Sequence, residues 1–261
     1  MLNFVHSDET ASSNIADALS RILEFGDYKE IGGLRCRERD GARLISITGR
    51  LIEADFLNEV RDGPIVFLSR HSSSKGVPSF TVHAEGNWSE DSHLGGRPKE
   101  LGVSSPSGML NALAAIGRIN PTGMQVTYEA THHGPLLNVP SYFVELGGDE
   151  ATISNARHAE LLANAIADSM EHHAEYEKVA IGIGGTHYPE KFTRLGLEGR
   201  YAFGHMMSRH YAGCADMIEK AAMRSDSKTE IAVIEWKSIK AEERKRVVEE
   251  LDRLGLDYER V

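Results

Sequence analysis

The residues of this chain best suited to chemistry stand where apolar runs end. His71 closes IVFLSRH, His83 and Glu85 close FTVHAE, and Glu129, His132 and His133 close VTYEATHH. Glu145 ends its run just before Gly147-Gly148, and His187 follows VAIGIGGT. Imidazole and carboxylate at strand ends suit a metal or an acid–base centre. In α/β sheets, moreover, ligands bind in the crevice outside the carboxyl ends of strands. Side chains alternate along a strand, so His83 and Glu85 share a face. His132 and His133 point to opposite faces unless the strand breaks at His132. A His/carboxylate set without thiolates suits zinc with a position open to water, where it lowers the pKa of that water and polarises a carbonyl. Glu85, Glu129 and Glu145 compete for the roles of ligand and general base, and spacing does not rank them. Taken singly, each of these residues equally suits a polar turn or a hydrogen-bonded core position. Their concentration at strand ends is what favours a site.

Other motifs carry less. IGIGGTHYPEKFT places Gly182, Gly184 and Gly185 after a buried strand without forming GxGxxG, so a dinucleotide fold is not indicated. Gly184 and Gly185 either present backbone amides to an oxyanion or form a tight strand exit. SRHSSSKGVPS offers hydroxyls and Lys75 to a phosphate or ribose, or is a surface loop. HExxH and GxSxG are absent, and Cys214 reads as a small packed hydrophobe.

These groups must be positioned by a chain of 261 residues, 41% hydrophobic and 26% charged. That length can bury a sizeable core. Apolar stripes and runs predict helices over SSNIADALSRILEF, IEADFLNEVR, PSGMLNALAAIGRI, NARHAELLANAIADSMEHH, GCADMIEKAAM and AEERKRVVEELDRLG. Strands are predicted at LNFVHS, ARLISITG, PIVFLSRH, VPSFTVHAEGN, MQVTYEATHH, PSYFVELGG, KVAIGIGG, EIAVIEWKSI and LDYERV. The alternation predicts an α/β fold with a mixed, mostly parallel sheet flanked by helices. One compact domain is expected over 1–261, with an irregular stretch near 86–106. No apolar run reaches membrane length, no secretory signal is read at the N-terminus, and two cysteines outside any CxxC suit a reducing cytoplasm. The net charge of −10 argues against broad binding to nucleic acid and leaves room for a local basic face. Arg194, Arg200 and Arg209 near His205 are the favoured cluster. Lys237, Lys240, Arg244, Lys245 and Arg246 are balanced by Glu242, Glu243, Glu249 and Glu250.

Four ordered motifs together resemble the archaeal and plant type of D-aminoacyl-tRNA deacylase: SRHSSSKGVPSFTVHAEGNW, THHGP with PSYFVELGG, GIGGTHYPEKFT, and AFGHMMSRH. The likeness covers essentially the whole chain. It implies hydrolysis of the ester between a D-amino acid and tRNA, two zinc ions per subunit, and a fold similar to peptidyl-tRNA hydrolases and nucleoside phosphorylases. Spacing and motif membership together make His83, His132, His133 and His187 the expected metal group. His205 and Glu145 are expected as ligands or orienters, and His133, His187, Glu145 and Glu85 as catalytic groups. Gly184, Gly185 and Thr186 are expected at the substrate, Arg194 and Arg209 at the tRNA backbone, and Lys75 at the acceptor end. Turns at Gly134-Pro135 and Val77-Pro78 are candidate walls for chiral selection. A cytoplasmic monomer acting on charged tRNA is the resulting expectation. A zinc amidase or peptidase on small substrates and a non-catalytic RNA-binding module are the alternatives.

Overall fold

Apolar runs become buried strands, and amphipathic segments become helices laid on them. The structure, a computed structural model, describes residues 1–72 and 76–261; Ser73, Ser74 and Lys75 of the hydroxyl-rich motif lie outside the described residues. In chain order the first half comprises β1 (Leu2–His6), α1 (Thr10–Ile22), β2 (Lys29–Ile31), β3 (Leu34–Arg39), β4 (Ala42–Ser46), β5 (Ile65–His71), β6 (Ser79–His83), β7 (Val103–Ser104), α2 (Pro106–Ile119) and β8 (Gln125–Tyr128). The second half comprises β9 (Pro140–Gly147), α3 (Glu150–Ile153), α4 (Ala156–Glu171), β10 (Lys178–Ile183), α5 (Glu190–Leu197), β11 (Tyr201–Met207), α6 (Ile218–Met223), β12 (Ile231–Ile234), α7 (Ala241–Leu254) and β13 (Tyr258–Arg260). No helix of the described residues is long and apolar enough to cross a membrane.

The mostly parallel, mixed character read from the sequence is present, and the strands divide between two sheets. The larger has nine strands in the order β2-β3-β4-β1-β5-β9-β6-β8, with β7 set against β9. Its centre is parallel through β4, β1, β5 and β9, whereas β6 runs antiparallel to β9 and carries β8 parallel to itself. The smaller sheet, β11-β10-β12-β13, is parallel throughout. One apolar cluster runs from Phe4, Val66 and Val144 of the first sheet through α2 and α4 to Phe203 and Val233 of the second.

The antiparallel turn of β6 decides where the site lies. Register pairs Phe67 with Phe143 and Phe143 with His83, then Ser69 with Glu145 and Glu145 with Thr81. Side chains at these positions share one face. That face is apolar at one end, where Phe67 and Phe143 stack at 4.4 Å and Phe143 lies under the His83 ring at 5.1 Å. It turns polar at Glu145 and His71. His71, His83 and Glu145 therefore stand on one face of β5, β6 and β9, while Glu129, His132 and His133 follow the end of β8 and His187 follows β10 of the second sheet. Gly147 is required here, because a Cβ would fall 2.6 Å from Ser79 Oγ and 2.9 Å from His71 Cδ2.

The segment IEADFLNEVR, expected as a helix, forms two 3₁₀ turns, Leu51–Glu53 and Asp55–Glu59. Its polar side chains are engaged elsewhere: Asp55 accepts from Leu136 N, and Asn58 both donates to Leu136 O and accepts from Asn138 N. The turns clamp the loop that follows His133. Strands β2, β3, β7 and β11 and helix α5 were not read from the sequence. Phe143→Ala removes the floor beneath His83 and should cost about 3–5 kcal/mol. The shift in the denaturant midpoint, with the slope unchanged, measures it.

Candidate metal centre

Three imidazoles converge because the chain fixes each ring from behind. His83 Nδ1 donates to Ala84 O at 3.1 Å, His132 Nδ1 to Ala130 O at 2.9 Å, and His133 Nδ1 to Gly134 O at 2.6 Å. A carbonyl only accepts, so every Nδ1 carries its proton and each ring turns Nε2 inward. The three rings offer ligand atoms within 4.8 Å of one another. Adjacent histidines can meet because the strand breaks: β8 ends at Tyr128, and His133 has a left-handed φ of 46°. Gly86 N donates to His133 O at 2.7 Å, and Gly134 packs so closely on Gly95, Gly96 and Ile52 that no Cβ fits.

Beside this trio lies a carboxylate group. His71 Nδ1 is 3.0 Å from Glu129 Oε1 and 3.5 Å from Glu145 Oε2, and its Nε2 meets the Tyr188 hydroxyl at 2.7 Å. His187 comes from the second sheet, where its carbonyl accepts from Ala130 N, and its Nε2 donates to Glu129 Oε2 at 2.7 Å. Two further sets of ligand atoms thus fall within 4.8 Å: His71, Glu129 and Glu145; and Glu129, His132 and His187. Tyr188 and the bracing role of Glu129 were not singled out from the sequence, although both sit beside a motif histidine.

Electrostatics separates the groups. Burial opposes charge on His71, yet Glu129 and Glu145 prevail and hold its pKa near 11. Burial likewise opposes a charge on His83, and Glu145 raises it. Burial lowers His133 to about 4, assisted by His83, and drives His132 well below its ordinary value, assisted by His133 and His83. Burial pushes against ionisation of Glu129 and Glu145, but the neighbouring imidazoles hold both below the usual carboxylate range. His83 Nε2 has no hydrogen-bond partner among the described residues. The neutral imidazoles of His132 and His133, the buried His83 Nε2 with only Glu145 Oε2 near it at 3.5 Å, and two ionised carboxylates are a donor set that fits a borderline divalent cation such as zinc.

A cavity of about 670 Å³ opens over this centre, lined by Ser7, Arg50, Leu51, Arg70, His71 and Glu145 among others. A second, of about 210 Å³, lies across His132, His133 and His187. Several expected site residues fall elsewhere. His205 is fully buried between the sheets, with Nδ1 3.2 Å from Thr131 Oγ1 and Nε2 3.1 and 3.0 Å from the carbonyls of Gly102 and Arg224. It has no lone pair to spare for a metal. Glu85 is buried below the trio, accepts from the Ser141 hydroxyl, and lines neither cavity. Burial raises it to about 7. The amides of Gly184 and Gly185 are already spent on Met207 O and Ser238 Oγ, both at 2.8 Å, so neither faces an oxyanion. Thr186 is exposed and donates to Tyr188 O.

Two of the three arginines of the favoured basic cluster are paired with carboxylates. Arg194 pairs with Glu198 at 2.8 Å and Arg200 with Glu259 at 3.0 Å, while Arg209 is exposed beside the site. In the second cluster Arg246 pairs with Glu242, whereas Arg244 lies over the Trp236 ring at 5.1 Å. The turns at Gly134-Pro135 and Val77-Pro78 do not line the cavities.

Fold and site define an α/β protein with a histidine–carboxylate centre of metal-binding type at the floor of a cleft. The D-aminoacyl-tRNA deacylase family model matches residues 61–259. The D-aminoacyl-tRNA deacylase of Pyrococcus furiosus is 34% identical over 260 residues, spanning 96% of each chain. That of Ignicoccus hospitalis is 38% identical over 235 residues, spanning 89% of this chain and 95% of its own. A crystal structure of a conserved protein of unknown function superposes with a TM-score of 0.91 at 32% identity, covering 100% of this chain and 95% of that one. The chain belongs to the D-aminoacyl-tRNA deacylase family.

Burial lowers His205 to about 4 from an ordinary 6.5. Between these values the unfolded chain binds a proton that the folded chain refuses. The contribution of neutral His205 is fully present above pH 6.5 and is lost as pH falls to about 4. His205→Gln should be less stable near neutrality, and its deficit should shrink by up to about 3 kcal/mol toward pH 4. Denaturant midpoints of both proteins across this range test it; a constant deficit contradicts it.

Proposed function

We propose that this chain hydrolyses the ester bond of D-aminoacyl-tRNA at the histidine–carboxylate centre, with zinc as its metal. The observation that carries the reading is the three back-anchored imidazoles facing one point beneath a cleft, in a chain of this family. His83, His132 and His133 would hold one ion, and His71, on giving up its Nδ1 proton, would hold a second with Glu129 and Glu145. A divalent cation there supplies the charge that polarises an ester carbonyl and makes water more acidic.

The other steps belong to the chain. His187, half-exposed to both cavities, is braced through Nε2–H on Glu129, which leaves Nδ1 toward the substrate. A carboxylate behind an imidazole orients it and fixes which nitrogen is left for the substrate. His187 Nδ1 takes a proton from the attacking water and returns it to the departing ribose oxygen. Tyr188 fixes His71 from its outer side, which keeps Glu129 and Glu145 facing inward. The covered floor of Phe67 and Phe143 excludes water from below.

These roles separate on mutation. His133→Ala should lose bound zinc and rate together. His187→Ala should keep its zinc and lose at least about 10²-fold in kcat for D-aminoacyl-tRNA. Metal content by elemental analysis and single-turnover rates on the same preparations decide between them. Hydrolysis of free D-amino-acid amides without hydrolysis of charged tRNA would overturn the reading.

A further inference from the structure

We propose that the two cavities meeting at this centre divide the substrate: the larger takes the terminal nucleoside with its phosphate, and the smaller takes the amino-acid side chain. The assignment rests on the deacylase reading above. An aminoacyl ester has two unlike arms joined at one carbonyl carbon. The two cavities share Leu94, His132, His133 and His187, so these residues form a shelf between them. A carbonyl over that shelf sends one arm each way.

Size assigns the arms. Sites for ligands as large as a nucleoside run from about 300 to 1,000 Å³. The larger cavity, about 670 Å³, lies in this range, and the smaller, about 210 Å³, falls below it. Arg70 offers the phosphate a partner: among the acidic Asp8, Glu9 and Glu145 that also line the larger cavity, it is exposed and only loosely paired, 3.8 Å from Glu9, whereas Arg50 is held by Glu53 at 2.8 Å. A phosphate can compete for the Arg70 guanidinium, and Leu51 and Ile52 offer an apolar face to a base.

The smaller cavity has rigid walls. Trp88 is buried and donates from Nε1 to Thr131 O at 2.9 Å, and Asn87 holds the carbonyls of Gly95 and Arg97. Ser208 and Tyr211 complete it, and its outer lip, at Asp91 and His93, is exposed. An aromatic wall with scattered polar groups and an open lip admits side chains of varied chemistry and limits their width. Selection among D-amino acids should then be by bulk.

The test uses one tRNA charged with either D-alanine or D-tyrosine and measures kcat/KM for each. Ser208→Phe narrows the smaller cavity and should lower the D-Tyr to D-Ala ratio roughly tenfold or more. Tyr211→Ala widens it and should raise that ratio. Arg70→Gln should weaken both substrates in proportion, leave the ratio within about twofold, and flatten the salt dependence of KM. Equal losses on both substrates in Ser208→Phe together with an unmoved ratio in Tyr211→Ala would overturn the assignment, as would a changed ratio in Arg70→Gln. Failure of the unaltered protein to hydrolyse either charged tRNA would instead overturn the deacylase reading, and this assignment with it.

Discussion

Three hydrogen bonds from imidazole to backbone organise the centre. The Nδ1–H groups of His83, His132 and His133 are committed to the carbonyls of Ala84, Ala130 and Gly134. Each carbonyl lies within two residues of its histidine, so ring orientation is set locally, at low entropic cost. The consequence is not local. Three Nε2 atoms are forced together under burial, and repulsion lets few of them carry a proton at once. A cluster of this kind is poorly satisfied by protein groups alone: among the described residues His83 Nε2 makes no hydrogen bond and has only the Glu145 carboxylate near it, at 3.5 Å.

The rest of the molecule keeps these rings where they are. Antiparallel β6 brings His83 above Phe143, so an apolar layer ends where the polar row begins. The smaller sheet delivers His187 through the bond from Ala130 N to its carbonyl. The 3₁₀ turns at Leu51–Glu53 and Asp55–Glu59 hold the loop after His133 and border the larger cavity. The two carboxylates Glu129 and Glu145 balance His71 and His83, which allows four buried titratable groups to coexist.

Much of this was legible from residue pattern. Apolar runs marked the strands, and histidines at their ends marked the site. A break at His132 was the stated condition for two adjacent histidines to share one centre, and the strand already ends at Tyr128. Long-range register was not legible. Nothing local says that β6 runs against β9, so Glu85 was expected at the site, whereas it lies beneath it. Of the two readings of the Gly184-Gly185 turn, an oxyanion contact or a tight strand exit, the amides favour the second, one of them being taken by Ser238, more than fifty residues onward. His205 was drawn in by its motif. Its surroundings in YAFGHMM, apolar on both alternating faces, were the available signal that the whole strand is buried. Arg194 and Arg200 looked free because Glu198 is one helical turn away from the first and Glu259 lies across the sheet from the second.

The central claim is that His83, His132 and His133 form a metal centre rather than a satisfied polar core. Crystals grown with zinc and measured on both sides of the zinc absorption edge test this most directly. A strong anomalous peak within bonding distance of all three Nε2 atoms is expected, about 2.0–2.1 Å from each nitrogen. A second, between His71, Glu129 and Glu145, is expected on the two-ion reading. Full zinc uptake with no peak at the three imidazoles, or a peak held by surface carboxylates alone, would contradict it.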